Sequence, residues 1–379
     1  MKLIHLSDLH LGKRVNEFPM LEDQKHILLQ ILNIIDGEKP DGVLIAGDIY
    51  DKSVPSAEAV QLFDDFLVRL AKRNLHTFII SGNHDSAERL AFGNRLIDLS
   101  GIHISSVYDG KVPPLPLEDE FGVVNIYMLP FVKPANVRQF FKDEEVSSYT
   151  DAIRVAVENM HVDTSCRNIL VTHQFVTGAS RSDSEDVSVG GSDNVDASVF
   201  DSFDYVALGH IHGPQNIGSL KVRYCGTPLK YSFSEVSHKK SVTVVELGKK
   251  GDLNIREIPL VPKHDMVEIK GTYEELTRKS FYEGTSYGED YMHVTLTDED
   301  DIPEAMSKLR AIYHNLMILS YDNTRTRHNA EIDTANDVER KSPLELFAEL
   351  FEKQNGVQMT DEQASFMTDL IESVWRDKE

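Results

Sequence analysis

Cysteine is nearly absent from this chain: there are two among 379 residues, Cys166 and Cys225. Two thiols cannot staple a disulfide-rich scaffold or furnish a four-thiolate zinc site, so the expectation is a pair of free thiols in a reducing compartment. Long apolar runs are missing as well, and none approaches the about 18 residues that a membrane-spanning helix needs. There is no glycine-rich phosphate loop of the P-loop type and no internal repeat. Basic residues are scarce beside acidic ones, 39 Lys and Arg against 62 Asp and Glu, for a formal net charge of −23. That excludes a broad basic groove as the means of holding nucleic acid. It does not exclude DNA as a substrate, because metal ions or a partner can supply positive charge. The chain enters an apolar strand almost at once, which leaves no place for a signal peptide and predicts a cytoplasmic protein.

What is present is a globular composition, 41% hydrophobic and 27% charged, with length for two or three domains. The chain is organised around Ser81-Gly82-Asn83-His84-Asp85, which follows the buried-strand run Phe78-Ile79-Ile80. Four other apolar runs end in similar residues. Leu3 to Leu6 leads into Ser7-Asp8-Leu9-His10, and Val43 to Ala46 into Gly47-Asp48-Ile49-Tyr50-Asp51. Ile169 to Val171 leads into Thr172-His173, and Tyr205 to Leu208 into Gly209-His210-Ile211-His212. The carboxyl ends of strands are where α/β folds place their chemistry. Taken singly, each loop has an ordinary reading: Asn and Asp favour turns, and a pair of histidines can sit on a solvated strand edge. Five such ends in one chain point instead to a site of acids, an amide and imidazoles. That donor mix suits Mn²⁺ or Fe²⁺ and the hydrolysis of phosphodiesters by paired divalent ions. Asp51 reads either as a support behind the metal ligands or as a loop cap, the latter slightly favoured. His5, His26, His76, His103, His161 and His238 lack this setting and are assigned to structure or solvent.

The surrounding pattern predicts a layered α/β domain. A helix from about Asp23 carries Ile27, Leu28, Ile31, Leu32 and Ile35 at helical spacing, and a second, capped by Ser56, carries Val60, Phe63, Leu67 and Leu70. Lys111 to Glu120, with three prolines, reads as a surface loop, and Thr177 to Val195 as a long loop beside the site. The expected domains are 1–262 for the catalytic part, 263–322 for a smaller α+β domain, 323–340 for a polar linker and 341–379 for a C-terminal helix pair. Those two helices carry apolar stripes, Leu344 to Phe351 and Phe366 to Trp375, too short to bury on each other alone. Docking back on the chain's own catalytic domain would cover them, as would a clamp on a partner's coiled coil.

Asp8-x-His10, Gly47-Asp48-x-x-Asp51, Gly82-Asn83-His84-Asp85, His173 and Gly209-His210-x-His212, in that order, resemble the calcineurin-like metallophosphoesterase superfamily. Within it, the opening Met1 to Gly12 is very like that of the SbcD-type exonuclease subunits, relatives of the archaeal and eukaryotic double-strand-break repair nucleases. The resemblance is strong to about Ser234 and lies more in layout beyond it. It implies a four-layer α/β/β/α sandwich with a smaller α+β capping domain and a C-terminal helix pair. It also implies two Mn²⁺ ions, with Mg²⁺ or Fe²⁺ as substitutes. Asp8, His10, Asp48 and His212 would hold one ion and Asp48, Asn83, His173 and His210 the other, Asp48 bridging. His84 would face the scissile phosphate and Asp85 would orient His84. The implied activities are ATP-dependent exonuclease action on duplex ends, endonuclease action on single strands and hairpin cleavage, in DNA repair, recombination and replication. The implied partner is an SbcC-type SMC-like ATPase in a two-plus-two assembly, its homodimer contact expected near Leu62, Phe66 and Leu90. Of the two covers for the C-terminal helices, the resemblance implies the clamp on that partner's coiled coil. Two alternatives stay open: a metallophosphoesterase acting on nucleotides or phosphoproteins, and a non-catalytic scaffold. Asp51 is followed by Lys52-Ser53 rather than the Arg-Gly of protein phosphatases, which weighs against phosphoproteins.

Overall fold

The computed structural model describes residues 1–94, 98–105, 107–185, 193–324 and 326, and near the C-terminus residues 344, 347–348, 351, 359–360, 363–364 and 366–367. Most of the expected helix pair, Trp375 included, and most of the expected 323–340 linker lie outside the described residues. So does the centre of the Thr177–Val195 loop. The described residues fall into two compact units, one of 1–269, 277–294 and 304–319, the other of 270–276, 295–303 and 320–379.

The first unit contains the strands β1 (Lys2–Leu6), β2 (Gly42–Ala46), β3 (His76–Ile80), β4 (Ile102–Ile104), β5 (Leu115–Asp119), β6 (Gly122–Leu129), β7 (Arg167–His173), β8 (Tyr205–Gly209), β9 (Gln215–Ile217), β10 (Ser219–Tyr224), β11 (Ser241–Leu247) and β12 (Leu253–Pro259). They form two six-stranded sheets, ordered β12-β11-β1-β2-β3-β4 and β9-β10-β8-β7-β6-β5. In each, the central strands run parallel; both margins of the second sheet are antiparallel, whereas in the first only the β12-β11-β1 side is antiparallel and the β4 margin is parallel. The parallel centres put five strand ends, those of β1, β2, β3, β7 and β8, at the carboxyl edges of their sheets.

Period-two alternation sorts each strand's side chains between two cores. Leu44 and Ala46 of β2, Phe78 and Ile80 of β3, Ile169 and Val171 of β7, and Tyr205 and Ala207 of β8 share one cluster between the sheets. Val43, Ile45 and Ile79 turn outward to pack with α1 (Leu21–Glu38) and α2 (Ala57–Ala71). Leu170, Val206 and Leu208 turn outward to pack with α3 (Tyr149–Glu158). The result is the α/β/β/α layering of a metallophosphoesterase sandwich. The Ser56 hydroxyl caps α2 by accepting from the Ala59 N–H at 3.3 Å. Phe66 and Leu90 are buried within this same core and Leu62 packs against it.

One polar pair is sealed between the sheets. His5 Nδ1 lies 2.8 Å from the Tyr205 hydroxyl, and burial, aided by Arg223, lowers the imidazole to about 3, so it stays neutral. The proline-rich stretch departs from expectation. Leu115–Asp119, which holds Pro116, is the strand β5, antiparallel to β6. It is an edge strand, where a residue without an N–H costs no ladder bond on the open side. Farther along, Met266–Gly271, Tyr291–Leu296 and Asn315–Tyr321 form a three-stranded sheet in that order. No described helix is long and apolar enough to cross a membrane.

Candidate metal centre

The loops after β1, β2 and β3 meet those after β7 and β8. Four of their residues hold the left-handed backbone that non-glycine residues avoid: Asp8 at φ +51°, His10 at +43°, Asp48 at +49° and His210 at +100°. Each such residue costs about 1–3 kcal/mol and persists only where surroundings over-determine it. Here the Asp8 N–H donates to the Gly47 carbonyl and the His10 N–H to the Asp48 carbonyl, both at 3.0 Å, lacing the first two loops together. The His210 N–H donates to the Asp8 carboxylate at 3.0 Å, tying the second sheet to the first. The glycines of the motifs are demanded by proximity. A Cβ on Gly82 would sit 2.1 Å from Asp48 Oδ1, and one on Gly209 would sit 1.9 Å from the Ala46 carbonyl oxygen.

All seven proposed donors come together. His173 Nε2 is 3.3 Å from Asp48 Oδ2 and 2.9 Å from Asn83 Oδ1. His210 Nδ1 is 3.0 Å from the same Asn83 oxygen. His10 Nε2 is 3.2 Å from His212 Nε2 and 3.8 Å from Asp48 Oδ2. Three sets present atoms mutually within 4.8 Å: Asp8, His10 and His212; Asp8, Asp48 and His173; and His10, Asp48 and His84. Apart from Asn83 and His84, which are half-buried, all are buried, Asp8 and His173 completely.

The proton bookkeeping of the imidazoles tests whether a metal fits. A carbonyl can only accept, so His173 Nδ1, 2.8 Å from the Ala46 carbonyl, carries a proton. His84 Nδ1, 3.0 Å from the Asp51 carbonyl, does the same. Their Nε2 atoms then face the pocket. For His173 that atom points at two oxygens, Asp48 Oδ2 and Asn83 Oδ1, an arrangement that needs either a second proton on the ring or a metal ion between them. His10 Nε2 and His212 Nε2 face each other at 3.2 Å, so at most one of them carries a proton and the other keeps a lone pair toward the pocket. A divalent metal with nitrogen and oxygen ligands fits both places.

The electrostatics agree. Burial pushes the Asp8 carboxyl up to about 6, with His173 opposing and Asp48 adding to the rise. Burial presses Asp48 the same way, yet His173, His10 and His84 hold it well below the usual carboxylate range. Burial would lower His173, but the Asp48 carboxylate holds it up at about 9, so in the metal-free pocket a second proton takes the place between ring and carboxylate that a metal ion would fill. Burial, reinforced by His173, takes His210 down to about 3. The pocket thus keeps Asp48 anionic and His210 neutral, the states in which each can ligate.

Asp85 is half-buried, and desolvation with the nearby Asp48 raises it to about 6. Its oxygens accept from the backbone N–H groups of Gly82 (2.9 Å), Tyr50 (3.0 Å) and Ile49 (3.1 Å). It thereby binds the Asn83 loop to the Asp48 loop through the backbone. Asp51 pairs with Lys13 at 2.8 Å and stands 3.9 Å from His10 Nδ1. Several residues beside the site carry no motif at all. Gln24 donates to the His10 carbonyl at 2.7 Å and Tyr231 to the Leu9 carbonyl at 2.6 Å. Glu185 accepts from the His212 N–H at 2.7 Å, and Glu235 and Lys240 lie behind the His212 ring. Cys225, next along the wall, has its thiol 3.1 Å from the Ser7 hydroxyl, and burial pushes it up to about 12.

Two stacked mixed sheets with acids and histidines gathered at their parallel strand ends define a metal-dependent phosphodiesterase, and residues 1–214 match the calcineurin-like phosphoesterase family model. Residues 262–355 match a second model, described as the Type 5 capsule protein repressor C-terminal domain. The SbcD subunit of nuclease SbcCD from Staphylococcus epidermidis is 35% identical over 344 residues, 89% of this chain and 90% of that one. Its namesake from Staphylococcus saprophyticus is 34% identical over 346 residues, with the same coverage. The chain belongs to the SbcD family of calcineurin-like phosphoesterases. Among solved structures, a dimetal phosphatase from Danio rerio resembles it with a TM-score of 0.43 and 11% identity, over 68% of this chain and 95% of that one.

Proposed function

We propose that this chain is a Mn²⁺-dependent DNA nuclease that hydrolyses phosphodiester bonds with two metal ions and works with an SbcC-type SMC-like ATPase. The observation that carries the reading is the convergence of Asp8, His10, Asp48, Asn83, His173, His210 and His212 with imidazole nitrogens facing oxygens. Asp8, His10, Asp48 and His212 would hold one ion, and Asp48, Asn83, His173 and His210 the other. Mn²⁺ suits these mixed donors, and Mg²⁺ or Fe²⁺ could substitute. Bound there, such a pair supplies Lewis-acid charge at the phosphate and a water acidic enough to attack it. The chain's own part is orientation and proton delivery. His84, held through Nδ1, turns Nε2 toward the pocket, 4.0 Å from Asp48 Oδ2, where, as the doubly protonated ring, it would stabilise charge on the phosphate or protonate the leaving oxygen. Asp85 keeps the loop beneath His84 fixed.

The proposed substrates are duplex ends, attacked with ATP, together with hairpins and single strands, in a homodimer within a heterotetramer of nucleoid-associated, cytoplasmic location. Support comes from the two staphylococcal relatives, each the D subunit of the nuclease SbcCD, a name that implies a companion subunit. A second reading makes His84 a ligand, because its ring also meets His10 and Asp48 within metal-binding distance. The test is purified protein with Mn²⁺ on hairpin DNA, on single-stranded DNA and on a small chromogenic diester. Metal-dependent cutting of both DNAs is expected. Turnover of the diester with both DNAs untouched would make the chain another kind of metallophosphoesterase. For the partner, a chain ended near residue 330 should keep cutting single strands yet lose copurification with the ATPase. Unchanged capture of the ATPase would overturn the helix-pair clamp.

A further inference from the structure

Behind His212 lies a buried ionic cluster that the nuclease reading does not use. Glu235 is fully buried and Lys240 nearly so. The Lys240 ammonium has three acceptors for its three protons: the His212 carbonyl at 2.9 Å, Thr227 Oγ1 at 2.6 Å and Glu235 Oε2. That leaves Glu235 Oε1 for other donors. The Ser184 hydroxyl donates to it, and His212 Nδ1 is 2.6 Å from Ser184 Oγ and 3.3 Å from Oε1 itself. A carboxylate has no proton to give, so the protons order themselves one way. Ser184 gives its proton to Glu235, and His212 Nδ1–H points at Ser184 and Glu235. The His212 Nε2 lone pair is then left bare toward His10 Nε2, 3.2 Å away. Ser184 and Glu185 belong to the serine- and aspartate-rich loop, and Glu185 accepts the His212 N–H at 2.7 Å. Thus the loop grips the backbone of His212 while reaching its ring.

Burying such a carboxylate and ammonium is costly, and a pair of this kind is seldom retained for stability, since apolar residues of similar size do as well or better. What an apolar pair could not do is fix the tautomer and tilt of an imidazole. Carboxylates behind metal-ligating histidines do this generally.

We propose that Glu235 is the positioning residue of His212, with Ser184 as its relay and Lys240 as its countercharge, and that together they set the affinity of the metal site that includes Asp8 and His10. The inference rests on the two-metal reading of the pocket. The loop that supplies Ser184 and Glu185 thereby becomes part of the metal site rather than a neighbour of it.

The experiment measures Mn²⁺ binding by calorimetry, with thermal unfolding of the metal-free protein, for wild type, Glu235→Gln, Ser184→Ala and the double variant Glu235→Gln/Lys240→Met. Wild type should take up two Mn²⁺; uptake of none would sink the two-metal reading itself. Glu235→Gln should weaken one of the two sites by about 10- to 100-fold and leave the other unchanged. Ser184→Ala should weaken the same site by less. Glu235→Gln strands a buried ammonium and should melt lower, while the double variant removes both charges and should regain the wild-type midpoint. If the double variant recovers stability but not Mn²⁺ affinity, positioning is the role. If it recovers both, the cluster is structural and the proposal fails. Wild-type affinity at both sites in Glu235→Gln would also end it.

Discussion

The two sheets of the sandwich bring unlike chemistry to the pocket. The β12-β11-β1-β2-β3-β4 sheet offers Asp8, Asp48 and Asn83 with two imidazoles, His10 and His84, all from the loops at its carboxyl edge. The other sheet offers imidazoles alone, His173, His210 and His212. The difference matters because neither set is a site by itself: the oxygens would repel one another and the imidazoles would simply be bases. They become complementary only when pressed together, and the clasp is explicit. His173 donates to the Ala46 carbonyl at the end of β2, and the His210 N–H donates to Asp8. Closing the sandwich and completing the pocket are therefore one event, and ligands that bind the pocket should stabilise the whole first unit.

The sharpest break in that comparison is Asp48→Asn, which removes the carboxylate that faces His10, His84 and His173 from the opposite sides of the pocket. Asn tolerates the left-handed backbone at this position, so the fold should survive. Mn²⁺-dependent cleavage should fall by about 10³-fold or more, on the order of 4 kcal/mol of barrier. The thermal stabilisation given by Mn²⁺ should vanish with it. Cleavage at the parent rate would dismiss Asp48 as the shared ligand. The next break is at the seam. Gly209→Ala would force a methyl into the Ala46 carbonyl and against His173 Nδ1, 2.7 Å away, and should destabilise the metal-free protein by about 3 kcal/mol. An unchanged urea midpoint would mean that the sheets can part freely there.

A subtler variant separates chemistry from ligation. His84→Gln should still bind two Mn²⁺ per chain while cleavage drops about 10²-fold, since the residue lost is an acid and not a ligand. Loss of one metal in calorimetry would favour the reading in which His84 ligates. The smallest expected effect lies deep between the sheets. Tyr205→Phe leaves His5 Nδ1 without its hydroxyl and should cost about 1 kcal/mol of stability with Mn²⁺ affinity unchanged. A matching fall in metal affinity would extend the clasp from the rim to the middle of the sandwich.

The pocket was legible because its residues announce themselves locally. Each follows an apolar run, and a strand that ends in a polar loop is visible without knowing its neighbours. The layering was legible for the same reason, since Val43 and Ile45 alternate with Leu44 and Ala46 within one short stretch. The supporting residues were not. Gln24 lies in the first turn of α1, Tyr231 in irregular chain, Glu235 at the end of the short 3₁₀ helix Phe233–Glu235, and Lys240 just before β11; nothing in their flanks distinguishes them from surface polar residues. Their partners are remote in sequence, Gln24 and Tyr231 being 207 positions apart across a 3.1 Å hydrogen bond. Pro116 misled for a related reason: whether a proline interrupts a strand depends on which edge faces a neighbour, and that is decided by the fold. Asp85 was found, but its means of action, through three backbone N–H groups, follows from loops that only the folded sheet brings together.

The thiol beside Ser7 gives the sandwich a built-in chemical clock. Cys225 is one wall of the pocket's floor, sealed from solvent and kept protonated, whereas Cys166 sits partly exposed between α3 and β7. An alkylating reagent should modify Cys166 promptly and reach Cys225 only when the sheets separate. The ratio of the two labelling rates thus reads how often the closed form opens, without a spectroscopic probe and in any buffer. Adding Mn²⁺ should slow the second rate and leave the first alone.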